Sequence, residues 1–430
     1  MNKGKGQWDQ DRSWLVEIHG GLYRQVSFLN RRMKILKPSL LVLMLLGLPL
    51  AGVWVAGHNV TAYLEFPPCT QYVEHASFSW PVFIGLAIAI LVVVLSFLIK
   101  ILKHNLPGSP PPATAPATRV VAGGGDPGKS VAGGDDPGHF PWWGWIALGL
   151  GGHFWILAWT RQTWFSPYQL YTFTPLWIAY IVVVNALTWR RTGRCLLTHE
   201  TAYLLRLFPL SAVFWWFFEY LNRFVQNWWY ILGAEFTPLQ YFLAATLPFS
   251  TVLPAVLSTE EWLASYSSSR RSDAKPDRNA AGLDRFIPIT FAKPKSAAWT
   301  TLAISGTGLF FMGWFPSQLF PLLWVAPLLL LVAFQTLENR PPFFPELKSG
   351  DWRRICRFCL AALICGFFWE MWNWNSLAKW IYSVPYVDRF HLFEMPILGY
   401  AGYLPFGLEC AVIAELIPIT KPSQQSLFGS

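Results

Sequence analysis

Long apolar runs along this chain alternate with short polar, mostly basic intervals. A helix that crosses a bilayer needs about 20 predominantly apolar residues. Ten segments meet that measure, near 39–57, 80–101, 141–159, 173–189, 203–222, 238–257, 297–315, 318–337, 355–374 and 395–417. The pattern predicts an all-α integral membrane protein of about ten transmembrane helices. The first run follows 38 residues of polar, basic character, too long a leader for an ordinary cleaved signal, so it reads as a retained anchor.

Past the second run the chain repeats an order of landmarks. The third and seventh spans end in "ILAWT" (Trp159) and "FMGWF" (Trp314), and the fourth and eighth open with "FTPLW" (Trp177) and "FPLLW" (Trp324). The fifth and ninth carry "WWFFEYLN" and "GFFWEMWN", which aligns Glu219 with Glu370 and Asn222 with Asn373. "NWWY" (Asn227 to Tyr230) and "KWIY" (Lys379 to Tyr382) follow, and then a sixth and a tenth span that each contain Leu-Pro, at Pro254 and Pro405. Four spans per half is an even number, so the two repeats run parallel about an axis along the membrane normal. The expected organisation is an N-terminus with a two-helix hairpin (1–104), a linker (105–140), a first four-helix repeat (141–257), a basic loop (258–296), a second four-helix repeat (297–417) and a tail (418–430).

Composition supports the membrane reading: 53% of residues are hydrophobic and 13% charged, with 25 Trp and 33 Phe, more apolar surface than one water-soluble core would hide. The net charge of +9 does not gather on one soluble face, which argues against nucleic-acid binding. With the N-terminus placed inside, 29 of the 33 Lys and Arg fall on the cytoplasmic side, and only Arg161, Arg223, Lys379 and Arg389 fall outside. The expectation is a multi-pass protein of the bacterial inner membrane with both termini cytoplasmic.

Two motifs invite chemistry that their context does not sustain. "GGGDPGKS" (Gly123 to Ser130) fits the phosphate-loop pattern, but that loop works between a buried strand and a helix. Here it lies in a Pro/Gly-rich linker where "VAGGGDPG" returns as "VAGGDDPG", so no nucleotide is expected. "CRFC" (Cys356, Cys359) has no second pair at ligand spacing, so no metal is expected, and no other cofactor is indicated.

The candidate chemistry lies with the intramembrane acids. A charged side chain in a bilayer costs roughly 2.5–3.5 kcal/mol on insertion scales, so those present usually face a cavity or a partner. Glu219 and Glu370 each lie deep in a span, with an asparagine three residues on along the same face. Acids among aromatic rings suit cation-forming chemistry on an apolar substrate: a neutral carboxylic acid donates a proton to a double bond and ring faces stabilise the cation. The candidate catalytic residues are Glu219, Asn222, Glu370, Asn373 and Glu394, with Trp228, Trp229, Tyr230, Gln240, Trp380 and Tyr382 as candidate substrate contacts. The competing reading is that the aromatics form an interfacial belt and the Glu/Asn pairs join helices.

Around these residues, "NRFVQNWWYILGAEFTPLQYFLAATL" (Asn222 to Leu247) resembles the small membrane domain of the lycopene cyclases that occur as heterodimers in some bacteria and as fusions in fungi and archaea. That domain has a polar residue before a Trp-Tyr pair, then a Pro-x-Glu-Glu motif, and occurs in two copies. The resemblance implies proton-driven, non-redox cyclisation of a polyene end group. Where that family carries paired acids, "PLQY" carries Gln240 and Tyr241, and the second half carries Glu394 in "FEMP". The family unit also has three spans rather than four. The expectation is therefore a membrane-embedded enzyme acting on an apolar or isoprenoid lipid by acid–base chemistry near the outer face. The alternatives are a lipid or small-molecule transporter or flippase and a non-catalytic subunit of a membrane complex.

Overall fold

The computed structural model describes residues 39–68, 70–105, 138–231, 236–266 and 282–417. The phosphate-loop-like stretch, most of the linker, residues 267–281 of the basic loop, the first 38 residues and the tail lie outside the described residues.

The chain is mostly helical. The N-terminal part forms α1 (Ser39–Val55), the single turn α2 (Thr61–Leu64) and α3 (Trp80–Asn105). Then come α4 (Trp142–Trp159), α5 (Phe173–Thr192), the turn α6 (Leu196–His199), α7 (Thr201–Val225), α8 (Pro238–Phe249) and α9 (Val252–Ala264). The last part holds α10 (Pro294–Phe311), the turn α11 (Pro316–Leu319), α12 (Ala326–Leu337), α13 (Arg353–Trp374) and α14 (Tyr403–Ala414). A helix lies within each of the ten apolar segments, but fewer satisfy length and hydropathy together. Five are long and apolar enough to cross a membrane, or seven if each of two bent pairs counts as one span. The helix α1 is shorter, and α4 and α10, at 18 residues each, are diluted by Gly, Trp, Ser and Thr.

The bent pairs were not foreseen. The 3-10 segment Thr163–Tyr171 meets α5 at 69°, and Pro316–Trp324 meets α12 at 53°. Pro175 and Pro327 stand in the first turns of α5 and α12, just past the two bends, and lack the N–H that a continuous helix would bond back to Tyr171 and Leu323. Pro254 and Pro405, the matched Leu-Pro landmarks of the two halves, likewise each occupy the third position of a helix, α9 and α14, but there the span continues without a sharp bend. The N–H groups of a first turn have no intrahelical acceptor, so proline costs little there. Ser211 spans the α8–α9 break: its hydroxyl donates to Phe249 O at 2.6 Å and accepts from Leu253 N at 3.0 Å. The helix α9 also runs to Ala264, past the domain boundary expected at 257.

The fold is not purely α. Two short antiparallel ribbons form, β1 (Trp228–Tyr230) with β2 (Trp380–Tyr382), and β3 (His391–Leu392) with β4 (Met395–Pro396). In β1·β2 Trp228 faces Tyr382, Trp229 faces Ile381 and Tyr230 faces Trp380, so the aligned triplets of the two halves pair with each other. The core joins both halves in the same reciprocal way. Trp177 packs on Trp369 of α13 at 4.9 Å between ring centroids, while Trp324 stacks on Phe218 of α7 at 5.2 Å.

The N-terminal part is tied to the first half at its far end. Arg223, mostly buried, donates to the carbonyls of Tyr63 and Glu65, and Phe66 packs against both rings of the stacked Trp216–Phe242 pair. The extended stretch after it runs beside the ribbon. Tyr230 N donates to Thr70 Oγ1, Ser383 Oγ to Val73 O, and Tyr386 N to Ala76 O.

Candidate functional site

The helices α7 and α13 each present a glutamate and an asparagine one turn apart on a buried face, and Glu219, Asn222, Glu370 and Asn373 all have zero exposure. The asparagines hold the ribbon. Asn222 Nδ2 donates to Trp228 O at 2.8 Å, while its Oδ1 accepts from Asn227 N at 2.8 Å and from Trp228 N at 3.4 Å. Asn373 does the same for the other strand, donating to Trp380 O at 2.8 Å and accepting from Trp380 N at 2.9 Å. A side-chain amide offers a donor and an acceptor together, which is what a strand end without a second neighbour requires.

The ribbon in turn places a tyrosine against each acid. Tyr230 donates to Glu219 Oε1 at 2.7 Å, and Tyr382 to Glu370 Oε1 at 2.8 Å. The remaining partners differ between the halves. Glu219 Oε1 also accepts from the indoles of Trp215 and Trp228, both at 3.0 Å. Glu370 Oε1 accepts instead from a second tyrosine, Tyr403, at 2.8 Å, while the Trp380 indole donates to the Tyr382 hydroxyl at 2.8 Å. The second oxygen of each carboxyl is buried with no hydrogen-bond partner among the described residues.

These donors wall one cavity of about 410 Å³ that draws its lining from both halves and from Leu86 and Ile90 of α3. Trp215, Trp228, Tyr230, Trp369, Tyr382 and Tyr403 contribute its aromatic surface. Glu219 and Glu370 do not line it, and each stands one hydrogen bond behind the wall. With each tyrosine donating to its carboxyl, a proton taken up on the tyrosine oxygen can pass to the acid, and turning the hydroxyl toward the cavity lets the acid's proton pass the other way.

The other sequence candidates divide. Trp228, Tyr230, Trp380 and Tyr382 line the cavity. Asn222 and Asn373, expected among the catalytic residues, act instead on the ribbon backbone. Trp229 is directed elsewhere and packs edge-on against Tyr72 at 6.3 Å. Gln240 is exposed and spent on the capping box of α8, where its Oε1 accepts from Thr237 N at 3.0 Å. Glu394 binds the Lys379 ammonium at 2.5 Å, whereas Lys379 itself lines the cavity.

Sequence reasoning gave no site role to Tyr403, Lys379 and Asn227. The last two immediately precede the ribbon strands in "NWWY" and "KWIY", and that shared position was the available signal. Among the described residues no cluster of three metal-ligating side chains occurs. No protein-family model, curated protein or solved structure matches the chain.

Proposed function

We propose that this protein is a membrane enzyme that rearranges an apolar or isoprenoid lipid by proton transfer, without net oxidation or reduction. The observation that carries the reading is that two buried carboxyls are each reached by tyrosine hydroxyls lining one shared aromatic cavity. Glu370 serves as the acid: its proton passes through Tyr382 or Tyr403 to a carbon of a double bond, leaving a cation. The faces of Trp369, Trp215 and Trp228 stabilise that cation. Glu219, gathered by three donors, serves as the base and takes a proton from the neighbouring carbon through Tyr230, forming the new double bond. One proton enters and one leaves, so the product is an isomer of the substrate. Likeness of "NRFVQNWWY" to the cyclase membrane domain points to the same class of reaction.

The fuller arrangement belongs to the same proposal: ten spans in an N-terminal hairpin and two parallel four-helix repeats, in an inner membrane with both termini cytoplasmic. It is supported by the recurring element order, the reciprocal pairing of β1 with β2 and the distribution of Lys and Arg.

The test is incubation of the purified protein with polyene lipids in heavy water, beside lipid extracts of cells with and without the protein. A lipid isomer carrying one deuterium is expected, and Glu370→Gln and Tyr230→Phe should abolish it. An unchanged lipid inventory with no deuterium uptake refutes the chemistry. A transporter is the second reading, favoured by the two helices bent at 69° and 53° in corresponding places. Altered leaflet distribution of an unaltered lipid in reconstituted vesicles would decide for it.

A further inference from the structure

The two acids occupy aligned positions, but the large ring beside each comes from a different place. One turn before the acid stands Trp215 in α7 and Gly366 in α13. Just before the Leu-Pro landmark the choice is reversed, with Val252 in α9 and Tyr403 in α14. The first half therefore supplies the extra donor to its acid from the acid's own helix, and the second half supplies it from the following span.

The exchange is enforced by space. A Cβ at residue 366 would lie 2.4 Å from the Tyr403 ring, so the tyrosine can stand there only over a glycine. Trp369 stacks on the same ring at 6.0 Å between centroids and 23° between planes. The ring is thereby held, while the hydroxyl keeps its rotation.

The exchange also changes the chemistry. An indole N–H only donates, whereas a phenol hydroxyl can give one proton and take up another. Glu219 has one hydroxyl partner, Tyr230, beside the indoles of Trp215 and Trp228. Glu370 has two hydroxyl partners, and these are not equivalent. The Tyr382 hydroxyl is held twice, donating to Glu370 Oε1 and accepting from the Trp380 indole, each at 2.8 Å. Tyr403 donates to Glu370 Oε1 at 2.8 Å, and among the described residues no N–H group donates to it. Both tyrosines line the cavity, so turning a hydroxyl toward it disturbs two hydrogen bonds at Tyr382 and one at Tyr403.

We propose that Tyr403 hands the proton of Glu370 to the substrate, that Tyr382 holds the carboxyl in place, and that the glycine at 366 thereby makes the second half the acid side. This rests on the proton-transfer reading above. The step starts with Glu370 neutral and Glu219 ionised. The π electrons of a double bond take the Tyr403 proton, the phenol oxygen takes the proton of Glu370, and a carboxylate and a carbon cation result. The proton lost from the neighbouring carbon passes through Tyr230 to Glu219, and exchange with water returns both acids to their starting states.

The experiment follows isomer formation and deuterium uptake in heavy water by the full-length protein in lipid nanodiscs, with squalene and lycopene as polyene probes. Tyr403→Phe should lower the rate by about 100-fold or more, the usual loss of a general acid. Tyr382→Phe removes one positioning hydrogen bond and should lower it about three- to tenfold. Ring-fluorinated tyrosines, which are more acidic phenols, are then placed at 403 and at 382. The rate should follow phenol acidity steeply at 403 and weakly at 382, a dependence that packing alone does not produce. A smaller loss in Tyr403→Phe, a larger one in Tyr382→Phe, or equal acidity dependence at the two positions overturns the assignment and leaves the enzyme standing. Absence of isomer and of deuterium uptake with both probes and the unaltered protein removes the enzyme reading and this inference together.

Discussion

Replacing Asn222 by leucine tests whether the ribbon is held from below by the helices. The change keeps the branching of the side chain, with bulkier methyl groups at its tips, but removes hydrogen bonds at 2.8, 2.8 and 3.4 Å. At about 1 kcal/mol net for a good hydrogen bond, the two short ones together contribute about 2 kcal/mol. Interhelical hydrogen bonds measured in membrane proteins average nearer 0.6 kcal/mol, which sets a lower figure of about 1 kcal/mol. Asn373→Leu removes bonds at 2.8 and 2.9 Å and should cost the same to within about 0.5 kcal/mol.

Both asparagines grip the same two-stranded ribbon, and a ribbon of three residues per strand has little stability of its own. Once one strand frays, the other loses its partner, so the double variant should be less destabilised than the sum of the single ones, by about 0.5–2 kcal/mol. Equilibrium unfolding in mixed micelles, followed by tryptophan emission, measures all three variants. A single variant within about 0.3 kcal/mol of the unaltered protein, or strict additivity, refutes the reasoning.

Glu370→Gln preserves shape and hydrogen-bonding capacity, so the protein should insert and unfold normally while proton-transfer activity disappears; an active variant would defeat the assignment of Glu370 as the acid. Asp351, outside the spans, is bound by the Arg353 guanidinium at 2.7 Å, and that hydrogen bond holds its carboxyl below the usual range. A lowered folded-state pKa contributes stability above the unfolded value and loses it as pH falls through the folded one. The melting-temperature advantage over Asp351→Asn should therefore be present at neutral pH and vanish below about pH 4, and an advantage that grows on acidification would contradict the pairing. Arg223→Met removes the donors to Tyr63 O and Glu65 O, and limited proteolysis should then cut the "YLEFPP" loop faster than in the unaltered protein. Cysteine labelling should find sites near Glu65, Arg161, Ser317 and Arg389 on one side of the membrane and sites near Arg191 and Lys348 on the other; label reaching Lys348 from the side of Glu65 would break the proposed topology.

Helix positions were legible in the sequence because the requirement behind them is local: an apolar run in a bilayer must satisfy its backbone within itself. The same reasoning marked Glu219 and Glu370, since an acid in such a run needs a partner wherever the run packs. It also singled out Trp228, Tyr230, Trp380 and Tyr382, though as members of an aromatic group with an ordinary belt explanation. Pro175, Pro254 and Pro405 each stand third in a helix, yet only the first follows a sharp bend, so the position of a proline along the chain could not by itself tell a bent span from a straight one.

Tertiary structure decided what those residues do. The triplets "WWY" and "WIY" become a ribbon only because α7 and α13 bring them edge to edge, and no local pattern encodes a strand whose partner lies some 150 residues away. That pairing turns the asparagines into backbone clamps and puts the tyrosines between the acids and the cavity. It also leaves Gln240 outside and draws in Asn227 and Lys379. Sequence determined which groups were too costly to bury alone; only the packed fold determined which neighbours offset that cost, because hydrogen-bond partners are chosen by position in space, and the chain order fixes that position only through the whole fold.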